Sequence, residues 1–303
     1  MVTSASRFRS LILFVLLGIP AGLTSCAGQA NDTDKQVATS VVVKSDTVDA
    51  YVQLISSAAS VLDSDQFGDA VLQAGLSLEN RPYLAGLLDE SDSEDLVIRL
   101  DGFDCVLLVE TALASARAAA RGDKSVSGFS HEIETLRYRN GDRRGYGSRL
   151  HYFTDWINDN SNRGIVEDIT QRLGGVAYEH TLNFMSANRA LYPKISDNDS
   201  LLAEIVGLEQ KLKAVDFFYI PQANIVDAYP GIRSGDVIAI TTSVPGLDIS
   251  HTGIAYVEDG AVGFLHASTS RGVTVAPDLS TYVNNNAKQT GIMVARPLIP
   301  LDE

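Results

Sequence analysis

Three side chains of this chain have types and spacing suited to acyl-transfer chemistry. Cys105 stands in Leu100-Asp101-Gly102-Phe103-Asp104-Cys105-Val106-Leu107-Leu108, where a turn runs into an apolar segment. His251 lies far downstream in Ser250-His251-Thr252-Gly253-Ile254, and His266 in Phe264-Leu265-His266-Ala267-Ser268. A thiol nucleophile needs a depressed pKa, a base within reach and donors for the oxyanion. A cysteine opening a helix gains from the positive end of the helix dipole, and a neighbouring imidazolium depresses its pKa further. Its backbone N–H has no intrahelical acceptor and is available as an oxyanion donor. His251 could take the thiol proton, and His266 could orient the imidazole through its other nitrogen. The bland alternatives stand beside this one: an unpaired cysteine is commonly a buried, inert small hydrophobe, and each histidine taken singly is more often a satisfied, partly buried residue.

The elements that must position these groups can be read from the pattern. Val106 to about Ala120 is rich in Ala and Leu and apolar almost all round, which predicts a buried helix. Asp104 just before it suits an N-cap, with substrate contact as the other reading. The C-terminal third reads as strands: Val237–Ile240, Thr252–Val257, Ala261–His266 and Gly272–Ala276. Glu258-Asp259-Gly260 is a hairpin signal, which would set His251 and His266 side by side on one face. Leu96–Leu100 predicts a short strand, residues 89–95 an acidic loop, and residues 129–216 mostly helix with loops at Asn140-Gly141-Asp142 and Leu173-Gly174-Gly175. From Asp46 to about Leu88 the apolar spacing is helical, broken at Glu79-Asn80-Arg81-Pro82-Tyr83. No internal repeat or low-complexity tract is visible.

The N-terminus frames the rest. Arg7 and Arg9 precede a short apolar core, Leu11 to Ile19, and then Leu23-Thr24-Ser25-Cys26. This is the layout of a secretory signal peptide, too short to span a bilayer. Leu-Thr-Ser-Cys resembles the bacterial lipobox, which implies a signal over 1–25 and a lipidated Cys26. An ordinary signal with an accidental cysteine is the alternative. Acyl chains there would hold the protein to a membrane without a spanning helix, and residues 26–45 would be a polar tether. If the source is Gram-negative, the absence of Asp after Cys26 resembles an outer-membrane address facing the periplasm. With Cys26 so used, Cys105 has no intramolecular disulfide partner among the two cysteines. Residues 46–303 are expected to form one domain, with a helical N-terminal extension over 46–95. The 38 acidic against 24 basic residues, with no Lys/Arg cluster, argue against a nucleic-acid partner.

The order Asp104-Cys105, Gly235-Asp236-Val237-Ile238, Ser250-His251-Thr252-Gly253-Ile254, Leu265-His266-Ala267-Ser268 resembles the NlpC-type papain-like cell-wall hydrolases. Tyr138-Arg139-Asn140-Gly141, Tyr146 to Tyr152, Trp156, Phe218-Tyr219-Ile220-Pro221, Gly246 to His251 and Gly291 to Pro297 are similar to its N-acetylmuramoyl-L-alanine amidase-like branch. Val106, Leu107 and Leu108 depart from that branch, whose members often carry Thr and Phe there. The resemblance implies an α+β papain-like core, a nucleophile helix packed on an antiparallel sheet. It also implies a cysteine amidase cutting the bond between N-acetylmuramic acid and L-Ala in muropeptides, with 1,6-anhydro fragments preferred, and with no cofactor or metal. Catalysis would rest on Cys105, His251 and His266. Arg149 could clamp a substrate carboxylate, with a structural ion pair as its alternative. His151 would point the same way, Trp156 would stack on a sugar or anchor the core, and Tyr83, Asp104, Ser250 and Ser268 would line the cleft. His131 and His180 lack motif context. Two other functions remain: an endopeptidase cutting within the stem peptide, and an inactive muropeptide-binding lipoprotein.

Overall fold

Residues 41–43, 48–63, 66–179 and 181–301 are described by a computed structural model. Cys26, the signal-like segment, most of the tether and His180 lie outside these residues. The described strands are β1 (Val41–Val43), β2 (Leu96–Ile98), β3 (Val166–Asp168), β4 (Val176–Ala177), β5 (Phe218–Pro221), β6 (Val237–Thr242), β7 (Ile249–Glu258), β8 (Ala261–Ser268), β9 (Gly272–Ala276) and β10 (Gln289–Pro297). The longer helices before the sheet are α1 (Val48–Ala59), α2 (Phe67–Leu76), α3 (Cys105–Ala120), α4 (Val126–Arg137) and α5 (Phe153–Asn162). Helices Asp199–Leu212 and Leu279–Asn284 follow.

Eight strands form one antiparallel sheet in the order β4-β5-β10-β6-β7-β8-β9, with β3 also paired to β10. Its centre is covered on both faces, which is why β6 reads Val-Ile-Ala-Ile-Thr-Thr without polar alternation and is buried throughout. Val237, Ala239, Ile254, Leu265, Met293 and Ala295 join the core built with α1–α4. Ile238, Ile240, Ala255, Phe264, Ile292 and Val294 join a second core closed by Leu279 and Val283. The fold is therefore mixed α and β around an antiparallel sheet, with α3 packed on β7 and β8.

The hairpin signal is realised as a two-residue turn: Asp259 (φ 50°) and Gly260 (φ 80°) both take positive φ, as a type I′ turn requires. It fixes the register Glu258↔Ala261 through Ile254↔Leu265. Asp104 caps α3, its carboxylate accepting from Leu107 N at 2.8 Å, so capping is its structural role. Two charged residues of this buried helix are neutralised by its neighbour α4. Glu110 accepts from Arg137 at 2.8 Å and Arg117 donates to Glu132 at 2.6 Å.

The N-terminal region departs from expectation in one way. The helical reading over 46–88 is correct only for α1 and α2, since residues 81–86 are not helical and only a single 3-10 turn, Leu87–Asp89, follows. Phe103 N donates to Pro82 O at 3.0 Å and Leu84 N to Phe103 O at 3.1 Å. These cross-segment bonds outcompete helix at the very place where Pro82 disfavours it. Tyr51, Ile55, Ala70 and Ala74, from α1 and α2, are buried in the same core as α3. The mostly helical reading of residues 129–216 also missed β3 and β4.

Candidate active site

The site is assembled at the start of α3 and the middle of the sheet. Gly102 lets the chain before α3 lie against residues 82–84, because a Cβ there would come within 2.4 Å of the Leu84 side chain. That contact brings Tyr83, paired with Phe103 in an isolated bridge, into electrostatic range of Cys105 and Asp104. Burial and these two neighbours raise the Tyr83 phenol well above its usual range, so it remains a hydroxyl.

Cys105 is partly buried and unpaired. Thr252, the strand residue after His251, presents its backbone N–H and hydroxyl to the thiol. Thr252 is 1 % exposed and its hydroxyl has no well-formed hydrogen bond. On the same strand, His251 Nε2 lies 2.9 Å from His266 Nδ1, and the two rings are nearly perpendicular at 86°. Continuing the β7–β8 register puts Gly253 opposite His266, so the two imidazoles are diagonal neighbours on one face. In the tautomer where His251 Nε2–H donates to His266, His251 Nδ1 is left as a free base. The thiol and His251 are not hydrogen-bonded to one another, and such bonds are commonly long in resting active sites.

Electrostatics correct one expectation. The Cys105 thiol is not depressed: burial, then the Asp104 carboxylate, push it up to about 11 against the opposing pull of Thr252. His251 falls to about 3 through burial and the neighbouring His266, and His266 to about 4 through burial and Arg271. Burial also raises Asp104 to about 6. The helix dipole is outweighed because the thiol is desolvated and an acid precedes it. At neutral pH the resting site is a thiol beside two uncharged imidazoles.

The remaining sequence-derived candidates are placed elsewhere. Arg149 is buried, its guanidinium donating to both Glu94 oxygens (2.8 and 2.7 Å), to Asp89 at 2.9 Å and to Leu88 O at 3.1 Å. Four of its five N–H donors are used within the fold, which is the structural alternative rather than a free clamp. His151 lies against the Tyr146 ring, with Nε2 at 2.8 Å from Tyr146 O, and burial lowers it to about 3. Trp156 is wholly buried and stacks on Phe153 at 4.8 Å, so it is a core anchor. Ser250 donates to Ile240 O at 3.3 Å and Ser268 pairs with Ser270 at 3.3 Å; neither is hydrogen-bonded to a histidine ring. His131 is exposed.

Two aromatic residues at the site escaped the sequence reading. Phe264 lies parallel to His266 (5.0 Å, 11°), and Tyr282 contacts His266 at 4.7 Å and His251 at 5.9 Å. The available signal for the Tyr282 helix was its cap: Asp278 follows Pro277 and accepts from Thr281 N at 2.7 Å.

Comparison with known proteins agrees with this architecture. The chain is similar to the crystal structure of an N-acetylmuramoyl-L-alanine amidase from Bacteroides uniformis at 36% identity and TM-score 0.73, over 77% of this chain and 99% of that one. A Bacteroides fragilis protein, provisionally named a xylanase, is 37% identical with TM-score 0.69, over 73% and 98%. The Legionella pneumophila protein LPG0564, of the DUF1460 family, shares the fold at 23% identity and TM-score 0.63, over 84% and 97%. No curated protein sequence matches this chain. Residues 73–292 match the AmiA-like family, described as N-acetylmuramoyl-L-alanine amidase-like, and the chain belongs to that family.

Proposed function

We propose that the protein is a cysteine amidase of the NlpC papain-like type, acting on the amide between N-acetylmuramic acid and L-Ala in muropeptides. The observation that carries this reading is the His251–His266 hydrogen bond next to Thr252, whose backbone and hydroxyl face the Cys105 thiol. In the reaction, His251 Nδ1 takes the thiol proton as Cys105 Sγ attacks the lactyl carbonyl. Neutral groups suit this general-base route, because no preformed ion pair has to be held in a desolvated site. The imidazolium, shared with His266, then protonates the leaving L-Ala nitrogen as the C–N bond breaks, leaving a thioester. Water, deprotonated by the same imidazole, releases the lactyl acid and restores the thiol. The backbone N–H of Cys105 at the start of α3 supplies an oxyanion donor.

A glycosidase reading, suggested by the xylanase name of one relative, is disfavoured by chemistry. It would need two carboxyl groups roughly 5–9.5 Å apart flanking the scissile bond. The groups gathered here are a thiol, two imidazoles, two phenols and one capping carboxylate. We also place the protein, on its Leu-Thr-Ser-Cys string, at the cell envelope with Cys26 as lipid anchor. No helix among the described residues is long and apolar enough to cross a membrane. A preference for 1,6-anhydro fragments belongs to the same proposal.

The test is incubation of the protein and of its Cys105→Ala variant with defined anhydro and reducing muropeptides, with products identified by mass spectrometry. Release of a peptide beginning with L-Ala by the parent alone is the expected result. Cleavage inside the stem peptide would replace the amidase with an endopeptidase, and binding without turnover would leave a binding protein.

A further inference from the structure

The two histidines are enclosed by aromatic rings from two elements. Phe264, on β8 with His266, is fully buried and stacks parallel to it. Tyr282, on helix Leu279–Asn284, meets Phe264 at 5.1 Å, His266 at 4.7 Å and His251 at 5.9 Å, the last with ring planes 27° apart. Phe264 can occupy its place only because residue 253 is glycine: a Cβ there would lie 2.6 Å from Phe264 Cε2. Thus the Phe264 ring and the strand backbone floor the pair, and Tyr282 covers it from across the sheet face. Among the described residues no hydrogen bond holds the Tyr282 hydroxyl, and its contacts with the histidines are made by the ring.

We propose that the Tyr282 ring is a positioning residue, a cover that excludes water from the His251–His266 pair and fixes its hydrogen bond in one orientation. The inference rests on the thiol–histidine reading of the site, but its decisive readout does not need turnover. The titratable and charged groups around the pair are Tyr282 itself, Arg271 at the β8–β9 turn, and Cys105, with Asp104 and Tyr83 beyond the thiol. Of these, only Tyr282 makes a ring contact with both histidines. Burial, which Tyr282 contributes, is the first cause holding both imidazoles below their usual range. Loss of the ring admits water, and water favours the protonated form.

The experiment compares the parent with Tyr282→Phe and Tyr282→Ala, following the His251 and His266 ring signals by NMR across pH 3–8. Tyr282→Gln keeps a side chain of similar reach without the ring and serves if the alanine variant does not fold. Tyr282→Phe should titrate as the parent does. Removal of the ring should raise both titrations by about one pH unit or more, the amount by which partial rehydration moves a buried group. With a muropeptide substrate, ring removal should lower kcat at least tenfold with KM little changed, and move the acid limb of the profile upward by the same shift. Unmoved histidine titrations after ring removal would overturn the proposal, as would a Tyr282→Phe variant that behaves like the ring-less ones, which would assign the role to the hydroxyl. Absence of hydrolysis by the parent itself would count against the amidase reading and leave the titration result to judge the cover.

Discussion

Replacement of Arg149 by methionine separates a substrate clamp from a structural tie. Arg149 and Glu94 expose only 9% and 6% of their side chains, and they form a two-point pair at 2.7–2.8 Å. Without the guanidinium, the buried Glu94 carboxylate keeps the Tyr138 hydroxyl at 2.9 Å but loses its counter-charge. Breaking a buried pair in this way costs about 3–5 kcal/mol. The Asp89 bond adds little, since that carboxylate is 36% exposed. Stacking of the guanidinium over Tyr146 at 4.9 Å contributes a further ~0.5–1 kcal/mol. A double variant with Glu94 also replaced by methionine should regain a large part of the loss, because it leaves no unpaired charge. Urea unfolding measures each variant, and muropeptide hydrolysis measured well below the unfolding transition gives kcat and KM of the folded fraction. The expected result is a large stability loss, rescued in the double variant, with KM nearly unchanged. A fully stable Arg149→Met protein whose KM rises tenfold would refute the reasoning and restore the clamp.

Three further outcomes follow from the structure. With its thiol pushed up to about 11, Cys105 should be alkylated by iodoacetamide at a rate rising about tenfold per pH unit from 6 to 9, whereas a plateau there would mean a preformed thiolate–imidazolium pair. Gly253→Ala should cost about 1–3 kcal/mol in stability, as overpacking does, and lower kcat by displacing Phe264; an unchanged melting temperature and rate would show that the ring moves freely. Burial lowers the His151 pKa to about 3 in the folded protein from the ordinary value of 6.5 in the unfolded chain, so the unfolded chain binds the extra proton between these values and stability falls as pH drops below 6.5. His151→Gln should therefore flatten the acid slope of the unfolding free energy by up to ~1.4 kcal/mol per pH unit between pH 6 and 4, and parallel slopes would disprove that burial. Buried carboxylates such as Asp104, raised to about 6, act in the opposite direction and are common to both proteins.

What could be read from the sequence was local. The apolar run after Cys105 and its Asp104 cap specify α3, because a cap and a helical pattern act within a few residues. Asp259-Gly260 specifies the hairpin and with it the diagonal pairing of His251 and His266, because a two-residue turn dictates register. Neighbouring side chains three to fifteen residues apart were thus legible. Tertiary structure decided everything that depends on distant burial. It set the thiol at about 11 rather than depressed, since desolvation and a preceding acid outweigh the helix dipole. It turned Arg149 and Trp156 inward, where Glu94 and Phe153 engage them. It placed β10 in the middle of the sheet, a position set by pairing with β6 some fifty residues earlier. It also brought Tyr282 over the histidines, a contact that no spacing along the chain encodes because it depends on where a short capped helix lands.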